Sequence, residues 1–180
     1  MTSKQAPGDD PGVDFEALDE THRQIAAHLA RLRALVDRVE QRDIDTDAAR
    51  REAAAVESFF SSTSRHHHRD EEKHVFPALL GSTDVDLVAK VRMLQQDHGW
   101  IEEDWQAISP QLRALAEGTL GFDAIELREA ANVFIDLCRE HILLEESIVY
   151  PQARAAAAQL RRQRAGRSAA QARAATRSSS

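Results

Sequence analysis

The chain has 180 residues, 30 acidic against 23 basic side chains, a net charge of −7 and a single cysteine. The acidity argues against a nucleic-acid-binding bundle. No apolar run approaches the ~18 residues of a membrane span, and one cysteine leaves no internal disulfide, which fits the cytoplasm.

Residues 1–13 are rich in Pro, Gly and Asp, lack a basic region followed by a hydrophobic one, and read as a disordered tail without a secretory signal. From Phe15 the apolar positions Phe15, Leu18, Ile25, Leu29, Leu32, Val36 and Val39 step by threes and fours, with His22 inside the stripe. Asp14, after Pro11 and Gly12, can cap this helix, which is expected over 14–41. A second helix is expected over 46–80, capped by Thr46 or Asp45. A third, over 84–117, follows Gly81 with Thr83 or Asp84 as cap. Its stripe is Val91, Leu94, His98, Ile101, Trp105, Ile108, Leu112, Leu115, and Pro110 should kink or split it. The fourth, over 123–160, opens after Gly118 and Gly121 at Asp123-Ala-Ile-Glu126, which resembles a capping box. Connections this short favour antiparallel neighbours, and no segment alternates with period two. The fold class is therefore all-α, an up-down-up-down four-helix bundle over 14–151 with flexible N- and C-terminal tails. Residues 152–180 hold seven arginines and no acid, so that segment carries +7 and residues 1–151 carry −14. It reads as a helical extension ending near Gly166 with a loose Ser-rich end, the alternative being contact with an anionic surface or partner.

The second and fourth helices carry one pattern twice: His67-x-x-x-Glu71-Glu72 ending in Phe76-Pro77, and His141-x-x-x-Glu145-Glu146 ending in Tyr150-Pro151. A carboxylate four residues after a histidine projects from the same helix face, about 6 Å away, within reach of one metal ion or of two neighbouring ions. In the fourth helix Phe134, Leu137, Cys138, Ile148 and Val149 surround the pair, and an unpaired charge among them would cost several kcal/mol. A shared cation gives both residues a partner. The first and third helices each replace one core hydrophobe by a histidine, His22 and His98. With alternating helix directions and ~1.5 Å rise per residue, the four histidines lie ~12 to ~21 Å from a common end, within about two turns of one another. Cys138 reads as a small buried hydrophobe, with thiolate ligation the minor reading.

His66, His67 and His68 each have an acid four residues on, Asp70, Glu71 and Glu72, but project about 100° apart. The Phe/Tyr-Pro endings and the stripe Val56, Phe60, Thr63, His67 select His67 with Glu71. His66, His68 and His28 are expected to be exposed or flanking.

Over about residues 14–151 these motifs resemble the hemerythrin-like, or HHE cation-binding, family: Leu18-Asp19-x-x-His22, His67-x-x-x-Glu71-Glu72 with Phe76-Pro77, Asp97-His98, and His141-x-x-x-Glu145-Glu146 with Tyr150-Pro151. The resemblance implies a four-helix bundle around two iron ions, an oxo- or hydroxo-bridged pair with carboxylates between the metals and histidines completing the shell. His22, His67, Glu71, His98, His141 and Glu145 are the implied ligands, with Glu102 or His74 as possible additions. The chain departs from the family's oxygen carriers at the third helix, where a His-x-x-x-His pair is expected and Leu94 and Glu102 flank His98.

That departure has a chemical consequence. Two six-coordinate irons offer about twelve positions, of which four imidazoles, two bridging carboxylates and a bridging oxygen fill about ten. Roughly two open positions favour a centre that reacts with or senses O2, peroxide or nitric oxide over a simple reversible carrier. The alternative is an iron donor or repair protein for damaged iron centres, although the cysteine-containing N-terminal domain common in that group is not in this sequence. A metal-free helical adaptor would leave the inward histidines unexplained. No nucleophile is paired with a base, so nothing points to hydrolysis.

Overall fold

Asp14 opens the first helix by accepting a hydrogen bond from the Ala17 backbone N–H at 3.1 Å, satisfying one of the donors every helix start leaves free. The computed structural model describes residues 13–41, 46–119 and 122–178, the last seven by their backbone alone. It contains four helices: α1 (Phe15–Glu40), α2 (46–80), α3 (Val85–Glu117) and α4 (124–178). Asp84 caps α3 by accepting from the Asp86 and Leu87 amides, and Asp123 caps α4 by accepting from those of Ile125 and Glu126. Thr46 is the first residue of α2, whereas Asp45, Gly121 and nearly all of the 1–13 tail lie outside the described residues. Gly118 ends α3 at φ 72°, a left-handed conformation that glycine adopts without strain.

Around the bundle α1 packs on α2, α2 on α3, α3 on α4 and α4 on α1, and the Phe76–Leu80 end of α2 also meets α4, the arrangement of a four-helix bundle. The predicted stripes are the inner faces. Leu18, Ile25, Leu29, Leu32 and Val36 of α1 and Val91, Leu94, Ile101, Trp105, Ile108 and Leu112 of α3 are buried. The core is divided in two. One apolar cluster runs from Ile25, Phe60, Ile101, Phe134 and Cys138 toward the α2 start, and the other joins Leu18, Val75, Phe76, Leu94, Val149 and Tyr150. Along every helix the predicted histidines and glutamates fall between these two clusters. A polar layer is thus enclosed between two apolar plugs.

Three departures from the sequence reading have physical causes. α3 is not split at Pro110: the proline removes one backbone hydrogen bond, while Ile108, Leu112 and Leu115 on either side are at most 7 % exposed and hold the helix in place. α4 does not end near Gly166 but continues to Ser178, because alanine and arginine are strong helix formers and one glycine costs only about 1 kcal/mol. α2 and α4 also contain π-helical turns, at Phe60–Ser64, Glu71–Val75 and Glu145–Val149. In the last two the Phe76 and Tyr150 amides reach back to the carbonyls of Glu71 and Glu145. Pro77 and Pro151 follow directly, and a ring that can neither donate nor tolerate the carbonyl four residues back widens the turn before it. No such cause is visible for Phe60–Ser64. Among the described residues, no helix is long and apolar enough to cross a membrane.

Candidate metal centre

The six residues singled out from the sequence converge in the layer between the two apolar clusters. His22, His67, Glu71, His98, His141 and Glu145 are between 0 and 6 % exposed. One set of ligand atoms, from His22, His67, Glu71 and Glu145, lies within 4.8 Å of one another, and so does a second from Glu71, His98, His141 and Glu145. The two glutamates belong to both sets. Glu71 Oε2 lies 3.5 Å from Nε2 of His67 and 3.5 Å from Nε2 of His98. Glu145 stands 3.2 Å from Nε2 of His22 through one oxygen and 3.1 Å from Nε2 of His141 through the other. The repeated helix motif therefore produces an approximately two-fold arrangement, with each carboxylate between a histidine of its own helix and one of a neighbour.

Those approaches are short but are not hydrogen bonds. Both oxygens of Glu145, Oε2 of Glu71, Nε2 of His98 and both ring nitrogens of His67 and His141 are buried without a hydrogen-bond partner. A buried polar atom left unpaired costs roughly 1–3 kcal/mol, so a cluster of them needs an explanation. Nitrogens and oxygens 3.1–3.5 Å apart that do not point at each other are placed as donors around a common third point. The donor set, imidazole nitrogens with carboxylate oxygens, fits a divalent transition metal.

Electrostatics tell the same story for the metal-free chain. Burial, then the neighbouring carboxylate of Glu145, pushes Glu71 up to about 7. Burial works against charge on Glu145, yet His141 and His22 outweigh it and hold that carboxyl well below its ordinary value. At His141 burial likewise opposes protonation, but Glu145, Asp97 and Glu71 together raise it to about 10. His67 goes the other way, down to about 3, through burial and the adjacent His22. Without a cation, protons shared among these groups keep the two buried carboxylates tolerable.

An outer ring of groups orients the imidazoles. Glu146 Oε1 lies 3.1 Å from Nδ1 of His22, and Glu72 Oε1 lies 2.9 Å from Nδ1 of His98. The second glutamate of each repeat thus fixes which nitrogen the neighbouring helix turns inward. Asp97 Oδ2 stands 3.6 Å from Nδ1 of His141. The Tyr150 hydroxyl donates to Glu71 Oε1 at 2.5 Å and lies 3.2 Å from Nε2 of His22. The duplicated Glu-Glu and the Asp97-His98 pair were visible in the sequence, but the orienting role was not.

Other expectations are corrected. Glu102 is tied by Arg65 on the outer side, with Nε at 3.1 Å from Oε2, and does not reach the layer. His74, one turn beyond Glu71, is exposed and borders an apolar groove with Phe15, Ala156 and Leu160. His66 is exposed and His28 is half-buried against Phe59, with their Nδ1 atoms at the carbonyls of Ser62 and Gln24, so neither enters the layer. His68 is not flanking: its ring stacks on His98 with centroids 4.1 Å apart, and a nitrogen of His68 groups with those of His98 and His141 inside 4.8 Å. Cys138 is buried in the apolar cluster, where burial, then the Asp104 charge, pushes its thiol up and keeps it protonated.

The family model described as the hemerythrin HHE cation binding domain matches residues 13–153. No curated protein and no solved structure gives a significant match to the chain.

Proposed function

The chain belongs to the hemerythrin HHE cation-binding domain family, and from that premise we propose that its inner layer holds two iron ions and that the pair binds, senses or reacts with a small oxidant, O2, peroxide or nitric oxide. His22, His67, Glu71, His98, His141 and Glu145 would be the ligands, with Glu71 and Glu145 shared between the two positions. The carrying observation is the set of buried donor atoms that approach one another within 3.5 Å without hydrogen bonding. Two overlapping donor sets with shared carboxylates support a pair over a single ion. A mixed set of imidazole nitrogens and shared carboxylate oxygens, with positions left over, suits iron better than four-coordinate structural zinc. Bound iron would supply the redox change and an open coordination position.

This chain's own residues set the conditions. Apolar clusters flank the layer on both sides, and its histidines and glutamates are at most 6 % exposed. Tyr150, whose phenol is pushed up by burial and then by the carboxylates of Glu71 and Glu145, keeps its proton and holds it on Oε1 of Glu71. Ligands at most 6 % exposed favour a resident metal over one handed on to another protein. The test is spectroscopic: the anaerobically iron-loaded chain should develop a new visible absorption on mixing with at least one of the three oxidants, while the zinc-loaded chain stays silent. No response to any of them would contradict the reading.

The orienting glutamates make a separate expectation. Glu72 and Glu146 are half exposed, so alanine there leaves the core intact but frees the His98 and His22 rings to turn. Cation affinity should fall by roughly ten- to a hundredfold for each, measured by competition titration. Wild-type affinity in both variants would show that the Nδ1 contacts are incidental.

A further inference from the structure

His67 is the one candidate ligand histidine of the inner layer that no carboxylate tethers from behind. Its three counterparts each have a carboxylate oxygen within 3.6 Å of Nδ1, Glu146 at His22, Glu72 at His98 and Asp97 at His141, whereas neither nitrogen of His67 has a hydrogen-bond partner. Its ring is therefore the freest of the four to turn. The same residue borders a cleft of about 310 Å³ between α1 and α2, whose wall carries Thr21, Ser62, Thr63, His66 and Asp70. Ser62 and Thr63 belong to the π-helical turn that no proline accounts for, and such turns recur at functional sites.

The cleft offers acceptors to whatever enters it. Thr21 donates its hydroxyl proton to the Ala17 carbonyl at 3.0 Å and Ser62 donates to that of Ser58 at 2.6 Å, so both oxygens keep lone pairs for a second partner. Nδ1 of His66 faces the Ser62 carbonyl at 2.8 Å, which places the proton there and leaves Nε2 as an acceptor. Asp70 bears the only formal charge in the wall. Oxygen and nitrogen lone pairs beside one carboxylate suit a partly hydrated divalent cation. A second cleft, of about 520 Å³ between α1 and α4, also reaches the edge of the layer, at Tyr150, but has the opposite character. There Asp19 is held by Arg154 at 2.6 Å and Glu146 by His22 at 3.1 Å, and Arg23 adds a positive charge. A cation is drawn to the first cleft and not to this one.

Resting on the metal-centre reading, we propose that the α1–α2 cleft is the port through which divalent metal ions load the layer, with His67 as the ring that swings to admit them. The port sets the rate of loading and leaves the final occupancy to the ligands.

Stopped-flow mixing of the metal-free chain with Co2+, read by the visible absorption that develops on binding and by metal analysis at the end point, tests this. The uptake rate should rise with Co2+ concentration and fall as salt screens Asp70. Asp70→Asn combined with Thr21→Val and Thr63→Val should slow uptake roughly tenfold and still reach the wild-type end point. Arg23→Gln, in the second cleft, should load at the wild-type rate. A removable plug separates the port from folding, which thermal melts of each metal-free variant check. Ser62→Cys carrying a bulky group attached through a disulfide should load slowly and regain the wild-type rate when a phosphine reductant releases the group, Cys138 being buried and out of reach of the reagent. Plugged protein that loads as fast as the wild type would overturn the port and leave the metal centre standing. So would an uptake rate independent of Co2+ concentration, since opening of the bundle would then be the limiting step. A wild type that takes up no Co2+ would overturn the metal-centre reading and the port with it.

Discussion

Removal of bound metal by a chelator is expected to lower the melting temperature of the chain by on the order of 10 °C. A site held at about 1,000 times its Kd contributes about 4 kcal/mol to the folded state, and a chain of this size loses roughly 2–4 °C per kcal/mol. The structure locates where that energy resides. His67, Glu71, His98, His141 and Glu145 carry buried atoms with no hydrogen-bond partner, and in a metal-free fold each must be satisfied by a proton or remain unpaired. The pH dependence follows in sign. Glu71, at about 7, and His141, at about 10, lie above their ordinary values in the metal-free fold, so both hold protons there that a cation must displace. Lowering the pH through 7 therefore favours the metal-free form, and the chelator-induced loss should shrink as the solution becomes acidic. Equal melting of chelated and loaded protein at neutral pH would contradict a buried site.

The second large effect concerns stoichiometry. Glu71→Ala removes an oxygen that lies 3.5 Å from histidines of both donor sets, and Glu145→Ala removes oxygens 3.1–3.2 Å from His141 and His22. Each change deprives both metal positions of a shared ligand. Loading should fall to one ion per chain or none. His67→Ala and His141→Ala each strip one position and should do the same. Glu102→Ala and His74→Ala should keep full loading, since Glu102 is held by Arg65 and His74 is exposed beside a surface groove. Metal analysis across these six variants decides it, and a fully loaded Glu71→Ala would show that the shared carboxylate is not a ligand.

Much of the fold and of the inner layer was legible because burial leaves a period in the sequence. His22 and His98 occupy stripe positions, one residue in every three or four, and helix geometry alone puts them at the level of His67 and His141. The duplicated motif identified His67 with Glu71 and His141 with Glu145, and all six residues come together. What escaped depends on departures from the ideal helix. An even step of about 100° per residue turns His68 away from the layer, but widened turns at Phe60–Ser64 and Glu71–Val75 bracket the segment that carries it. The tertiary partners of Glu72, Glu146 and Asp97 follow from how neighbouring helices are rotated, which no single-helix pattern records. Glu102 illustrates the opposite error: four residues after His98 is the right spacing, yet Arg65 across the helix interface claims it. At Pro110 and Gly166 local propensity argued for a break, and the packing of α3 and the alanines of α4 prevail.

The most direct test of the paired centre is the number and kind of metal ions per chain. Protein purified without chelators, then loaded anaerobically with ferrous iron and desalted, should contain two irons per chain by elemental analysis and should show the absorption of an oxidised iron pair after exposure to air. One zinc per chain, unchanged by iron loading and colourless in air, would contradict it.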